Sequence, residues 1–425
     1  MTRERVLFAA CAAVLVASML AIGLLRLPHK HIGTFLTLYA AAFVGYVLAA
    51  WTVLRSPSAG GVRPPLIILV SVLLHACLIP ARPDLSTDIY RYAWEGRVVA
   101  NGGNPFSSVP EDTTFASLRD GDYGRVVYRN MPAIYPPLAQ GAFALAAIAH
   151  PGPFALKVLF SLFDIGTALV LLRLLRRRGL PEATVLLFAW NPLVIVETAH
   201  SGHVDAMAAF FLVLGLALWE SGRRVWAGIV LGLSALVKYL ALASLPWLVR
   251  RRYLAVALVL AAVVVIGYIP FWNAGAKLFA SLRLYTATWY FNGPPFFALS
   301  SFLGSQDMAR RLLLGGAAAF VFTSALRERD LARFLYLTIG CALLVSPTVY
   351  PWYLLWIAPF FALYRNRAWI AISALVMLSY AVWTYYGDTG AWVLPNWLLV
   401  LEYAPFYLLL LLSLPRVKRR AWAPA

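Results

Sequence analysis

Apolar residues run through this chain in long unbroken blocks, separated by short polar segments rich in arginine. Many blocks approach or exceed the roughly 20 residues that a helix needs to cross a bilayer. They are continuous rather than alternating, which excludes a closed β-barrel. The pattern predicts an all-α, polytopic membrane protein with about 12 transmembrane helices plus one hairpin, in a single domain over residues 1–425. The expected spans lie near 6–26, 33–54, 65–80, 153–175, 183–198, 204–219, 254–270, 310–325, 331–347, 351–364, 368–386 and 397–414. Residues 138–150 are apolar but too short to cross. The block 225–248 has basic residues at both ends, so a hairpin broken near Lys238 is expected there, with one strained span as the alternative. A short turn with His29, Lys30 and His31 joins the first two spans, and Arg55 and Arg63 flank a Ser/Pro/Gly linker.

Composition agrees. The chain is 62% hydrophobic and 13% charged, where a soluble protein carries about 25% charged residues. The net charge of +18 would suggest nucleic acid in a soluble protein. Here the cations cluster between apolar blocks, at Arg176–Arg178, Arg250–Arg252, Arg365 with Arg367, and Arg416 with Lys418–Arg420. That is the positive-inside pattern, so the charge reports topology and nucleic acid is no expected partner. It leaves two large loops outside, about 81–137 and 271–308. Arginines in the first of them do not argue otherwise, because long loops escape the charge rule. Cys11, Cys77 and Cys341 all sit in apolar blocks and form no disulfide or metal pattern. No internal repeat is evident.

The first outer loop carries the most distinctive stretch, DLSTDIYRYAWEGRVVANGGNPF at 84–106. Ser86 and Thr87 are good N-caps, and Gly and Pro are absent until Gly96. Asp88 then falls in the first turn of a helix, where the dipole favours its ionised form. Asp88, Arg91 and Glu95 share one face at i, i+3 and i+7. Ile89, Ala93 and Val99 lie nearer the opposite face, which is expected to rest on the membrane. The helix should stop at Asn101-Gly102-Gly103, before Pro105. Taken alone, the stretch also fits a solvated connector.

This stretch resembles the first outer loop of the GT-C glycosyltransferases, multi-span enzymes that use polyprenyl-phosphate sugars. The nearest branch is the bacterial polyprenol-phosphate-mannose-dependent α-mannosyltransferases. Further similar stretches follow in order: IYPPLAQ at 134–140, LKVLFSLFDIGTALVLLRLLRRRG at 156–179, FAWNPLVIVETAHSGHVDA at 188–206, LGLSALVK at 231–238 and SPTVYPWYLLWIAP at 346–359. The resemblance implies a GT-C-like fold in the bacterial plasma membrane with its active site on the extracytoplasmic face. It implies a polyprenyl-phosphate sugar donor, with mannose as the sugar, and a glycan or lipid acceptor. An acidic residue of the first outer loop would be the base: Asp88 stands at the matching position, and Asp84 is the second candidate.

The chemistry makes the same demand. A phosphodiester oxygen is a weak base, so a lipid phosphate departs without a general acid and needs positive charge to receive it. The acceptor hydroxyl needs one base in hydrogen-bond reach. No metal or other cofactor is called for. Arg91, Lys157 and Lys238 are candidates for the phosphate clamp. Lys157 and Asp164 lie two turns apart on one face, an ionisable pair that packing alone also explains. His200, His203 and Asp205 invite a metal reading, but there is no fourth ligand, and the resemblance favours substrate contact. Glu197 faces the same surface. Tyr350, Trp352 and Tyr353, with Trp289 and Tyr290, read either as an interfacial aromatic belt or as a stacking wall for sugar or lipid. The competing function is a transporter or lipid flippase, which would hold its polar residues near the bilayer midplane.

Overall fold

The computed structural model describes residues 3–55, 63–390 and 392–413. The linker after Arg55 and the C-terminal basic tail lie outside them. The chain is helical throughout, and the one β-type pairing among the described residues is a parallel bridge between Phe291 and Thr348. In order the α-helices are α1 Arg3–Leu24, α2 Ile32–Arg55, α3 Pro64–Leu78, α4 Asp88–Ala100, α5 Pro137–Ala149, α6 Pro153–Arg177, α7 Leu186–Ala189, α8 Pro192–Ile195, α9 Asp205–Glu220 and α10 Arg224–Val237. There follow α11 Leu245–Arg250, α12 Leu254–Tyr268, α13 Ala280–Thr288, α14 Pro294–Leu303, α15 Gln306–Arg327, α16 Leu331–Val345, α17 Phe360–Tyr364, α18 Arg367–Leu375, α19 Val382–Thr389 and α20 Asn396–Ser413.

Among the described residues, seven helices are long and apolar enough to cross a membrane, or eight if one bent pair counts as a span. The difference from twelve has a physical cause. Several apolar blocks are interrupted before they reach the ~30 Å of a hydrocarbon core. Helix α16 has 15 residues, about 22 Å at 1.5 Å per residue. The block after it opens as a 3-10 segment, Pro351–Trp356, with Pro351 at its first position. The bent pair, Glu182–Ala189 and Pro192–His200, turns by 53°. Pro192 restarts the helix there, and the Asn191 side chain caps it by accepting from the Leu193 N–H at 3.0 Å. Trp190 donates to the Ile67 carbonyl at 2.8 Å, and Asn191 to Ser373 Oγ at 3.0 Å. Such bonds tie neighbouring helices where water cannot satisfy the groups.

The expected break at Lys238 is present: the residue is extended (φ −158°, ψ 128°) and ends α10. Helix α10 packs on α9 and α12; residues 239–244 fold back on α10 and reach α16, and α11 then packs on α12 and α15, so α10 and α11 do not pair as the two arms of a hairpin.

Helix α6 spans the molecule and defines two ends. Near its start Lys157 reaches the first loop, donating to the Ala81 carbonyl. At its other end Arg178 joins Glu220 and Asp330, and Arg251 joins the Glu328 carbonyl. The first is the loop end, the second the arginine end.

Candidate active site

Helix α4 begins at Asp88, preceded by Thr87 as N-cap, and the Ser86 hydroxyl accepts from the Asp88 N–H at 3.3 Å. It ends at Asn101, where Gly102 takes φ +77°. Its packing requires Gly96: a Cβ there would lie 2.3 Å from the Phe143 carbonyl oxygen of α5. The face bearing Ile89 and Ala93 is buried against Phe143 and Phe160 of α5 and α6. The expectation that this face meets the membrane is corrected: α5 and α6 take the place that lipid was expected to fill.

The opposite face of α4 opens on a cavity of about 1200 Å³. Asp88, Arg91 and Glu95 all line it, together with Lys238, Tyr350, Trp352 and Tyr353. Asp88 is half-buried, and its carboxylate accepts no hydrogen bond from any described residue. Burial pushes it up to about 6; Lys238 pulls the other way, and Asp205 and Glu95 add to the rise. It is still mostly ionised at neutral pH.

Asp84, four residues earlier, is engaged elsewhere. It is buried and accepts from Arg125 at 2.7 Å, and the same Arg125 nitrogen donates to the Tyr90 hydroxyl at 2.8 Å. It does not line the cavity.

The three clamp candidates divide sharply. Arg91 is saturated by protein: it pairs with Glu95 at 2.6 Å and donates to the carbonyls of Tyr128 (2.7 Å) and Met131 (2.6 Å). It thereby pins residues 127–131 along the rim, and Gln140 holds the other Glu95 oxygen at 2.7 Å. Lys157 is buried away from the cavity and donates to the carbonyls of Leu78 (3.0 Å) and Ala81 (2.5 Å). Its expected pairing with Asp164 is corrected: Asp164 faces His75 at 3.4 Å, because two helical turns, about 11 Å, are too far for contact. Lys238 does line the cavity. It pairs with Asp205 at 2.6 Å and sits over the rings of Tyr353 (4.8 Å) and Trp356 (5.0 Å).

His200 and His203 are fully buried and do not line the cavity. His203 stacks on the back of Trp352, with ring centres 4.0 Å apart, and lies 3.4 Å from Glu197. Glu197 accepts from Tyr380, which lines the cavity. Asp205 accepts from Lys238 and from Trp356 Nε1 at 2.5 Å. These residues stand behind the cavity wall instead of contacting its contents. Tyr350 stacks on Trp352 at 4.5 Å and on Phe291 at 5.0 Å. Phe291 and Trp352 are buried and Tyr350 half-buried, so this continuous stack forms cavity wall and not a lipid-facing belt. Trp289 joins the lining and packs on Tyr128, whereas Tyr290 is exposed and rests on Phe296 and Phe297.

Sequence reasoning missed Arg310. It lines the cavity at the start of α15, over the Phe296 ring at 5.8 Å, and donates to the Ala287 carbonyl. No carboxylate pairs with it among the described residues. A signal was present: Arg310 and Arg311 open an expected span at its outer end, against the charge rule. Tyr285 and Trp356 carried no such signal. Beside Arg310 the lining includes Thr286 of α13 and Leu314 of α15, both exposed. The cavity therefore opens sideways, between α13 and α15, on an apolar flank.

The cavity in this helical bundle thus brings together a carboxylate with no hydrogen bond from the described residues, the Arg91–Glu95 pair, and the cations Lys238 and Arg310. Residues 6–254, more than half of the chain, match the model of the MptA_B family, described as Alpha-(1->6)-mannopyranosyltransferase, N-terminal domain. The chain belongs to that family. Asp88, Asp205 and Lys238 fall inside the matched residues; Arg310 and the aromatic stack of Phe291, Tyr350 and Trp352 fall outside. A stretch of 126 residues, 28% of this chain and 27% of the relative, is 34% identical to GPI mannosyltransferase 1 of Gibberella zeae. The chain thus covers about a quarter of that relative's length. No solved structure matches.

Proposed function

We propose that this protein transfers mannose from a polyprenyl-phosphate donor to a glycan or lipid acceptor on the extracytoplasmic face of a bacterial plasma membrane. Asp88 is the general base, and Lys238 with Arg310 receives the departing phosphate. The observation that carries the reading is the company Asp88 keeps: a carboxylate with no partner among the described residues shares one cavity with Lys238 and Arg310, beyond the Arg91 already held by Glu95. The lipid tail lies along the opening between α13 and α15, with its phosphate near Arg310. The sugar packs against the wall of Tyr350 and Trp352.

The step balances simply. The acceptor oxygen forms a bond to the anomeric carbon as the bond from that carbon to the phosphate oxygen breaks. The bonding pair leaves with the polyprenyl phosphate, and the hydroxyl proton passes to Asp88. One displacement inverts the anomeric carbon, so an α-linked product requires a β-linked donor. Asp84, Arg91 and Glu95 shape the site: Asp84 fixes the entry to α4, and the Arg91–Glu95 pair holds the rim. Lys157, His200 and His203 buttress it from behind. The bent span and the buried Glu197–His203 contact would also suit a transporter, but membership in a glycosyltransferase family favours the enzyme.

The test is transfer from synthetic polyprenyl-phosphate mannose, in both anomeric forms, by the purified protein in liposomes. The reading expects turnover of the β-linked donor alone and loss of turnover in Asp88→Asn. Use of a nucleotide sugar in place of the lipid donor would sink it.

A further inference from the structure

At the arginine end, α6 and α9 leave a second cavity of about 390 Å³ between them. Its walls are apolar, from Val170 of α6 and Leu214, Ala217 and Leu218 of α9. Its rim is cationic, from Arg173, Arg176, Arg177 and Arg223. The nearby acids do not balance that rim. Glu182 pairs with Arg176 at 2.8 Å, and Glu220 pairs with Arg178 at 2.5 Å. Among the described residues Arg177 has only the Glu220 carbonyl, at 3.0 Å. The side chains of Arg173 and Arg223 find no acceptor among the described residues.

Arg173 is the informative member. It is exposed, about 6 Å below the end of α6 by helix rise. Leu169, one turn before it, is 49% exposed, so this flank meets lipid. An arginine at such depth lifts its head toward the nearest phosphates. Here the lift carries it over a slot with apolar walls, opposite Arg223 in the turn after Gly222. A cation cluster that only reported topology would need no slot beneath it.

We propose that this slot binds one anionic phospholipid. The headgroup phosphate bridges Arg173 and Arg223, with Arg177 beside it, and an acyl chain runs down along Val170, Leu214 and Leu218. Basic pockets between helices at a membrane surface are suited to such headgroups. A cavity of this size accommodates the phosphoglycerol and first methylenes, not a whole lipid. The site is at the far end of α6 from Asp88 and takes no part in the proposed chemistry.

The experiment is native mass spectrometry of the full chain released from nanodiscs of phosphatidylcholine doped with phosphatidylglycerol. The expected result is retention of one phosphatidylglycerol. Each arginine near an anionic surface contributes about fivefold in affinity. The double variant Arg173→Gln/Arg223→Gln should therefore lose it about thirtyfold, while Arg173→Lys/Arg223→Lys keeps most of it. Arg176–Arg178 remain in both variants, so the insertion signal is preserved. Equal retention of phosphatidylcholine, or undiminished retention in the glutamine variant, would overturn the proposal. So would displacement of the lipid by millimolar inorganic phosphate, which would assign the rim to a soluble anion. Transfer activity of the glutamine variant, assayed in parallel, should match the parent, separating this site from the proposed catalytic one.

Discussion

Asp84 and Asp88 lie four residues apart on the same loop, yet the fold treats them oppositely. Asp84 is buried and answered by Arg125 and, through it, by the Tyr90 hydroxyl. Asp88 faces a cavity, accepts no hydrogen bond from the described residues, and is held near 6 by burial. One carboxylate is where folding wants it; the other is placed at a cost in stability. Such a conflict between local stability and placement marks function more often than architecture. The difference rests on which side of α4 each residue meets: Asp84 precedes the helix and turns to residue 125, whereas Asp88 starts it and shares the face of Arg91 and Glu95.

The largest expected effect breaks the comparison at Asp88. Asp88→Asn should lower the transfer rate by about 10²–10⁴-fold, the usual contribution of a general base. It should not lower thermal stability. The folded-state value lies above the unfolded one, so the native state binds more protons between about 4 and 6. Stability therefore falls as pH rises through that window, and the charged form is the destabilised one. Asp88→Asn should match or exceed the parent's melting temperature at pH 8, and the gap should close below pH 4. Asp84→Asn should do the reverse. Losing a charge-assisted bond to Arg125 lowers stability by about 2 kcal/mol, while the surviving folded protein keeps most of its rate. Full activity in the first variant and none in the second would exchange the two roles.

The cations come next. Lys238→Gln also strands Asp205, so its effect mixes phosphate binding with lost support. Arg310→Gln is the cleaner probe, since Arg310 pairs with no carboxylate among the described residues. A loss of about tenfold or more in kcat, beyond any rise in KM, would fit charge developing on the leaving group. Arg91→Lys should act differently. A lysine cannot reach Glu95 and two carbonyls together, so the rim at 127–131 loosens and KM rises more than kcat falls. Kinetics of the two variants, measured side by side with the lipid donor, separate a charge role from a positioning role.

The helical class, the start and end of α4 and the shared face of Asp88, Arg91 and Glu95 were legible because they depend on local rules: block length, capping, and the 3.6-residue period. The partners were not. Nothing in the spacing shows that Arg91 would be consumed by carbonyls 37 and 40 residues away, or that Asp164 would turn to His75. Those pairings are set by tertiary packing across the bundle. Among the described residues, fewer helices than twelve are long enough to cross for a related reason: hydropathy sums a block without seeing that Pro192 or Pro351 interrupts it, whereas the break at Lys238 was legible. Arg310 was hidden by its company, since an arginine beside a span ordinarily reports topology.

A smaller effect is expected from pH. Activity requires ionised Asp88, so the free-enzyme rate profile should fall tenfold per unit on the acid side of about pH 6 and stay flat above it. An acid limb near pH 4 would mean that the base is a carboxylate with ordinary solvation, and would move the assignment off Asp88.

The smallest expected effect is none at all, on chelation. Among the described residues no three His, Cys, Asp or Glu side chains gather as a metal ion would need, and several of those near the cavity are already engaged. Asp205 already holds Lys238 and Trp356, Glu197 holds Tyr380, and the His203 ring lies flat against Trp352. A cation entering among them would have to displace the lysine that is proposed to steady the phosphate. Transfer in liposomes should therefore proceed at the same rate in EDTA as in Mg²⁺ or Mn²⁺. A strict requirement for either ion would mean that Lys238 and Arg310 do not suffice to receive the leaving group, and that Asp88 has a ligand to hold as well as a proton to take.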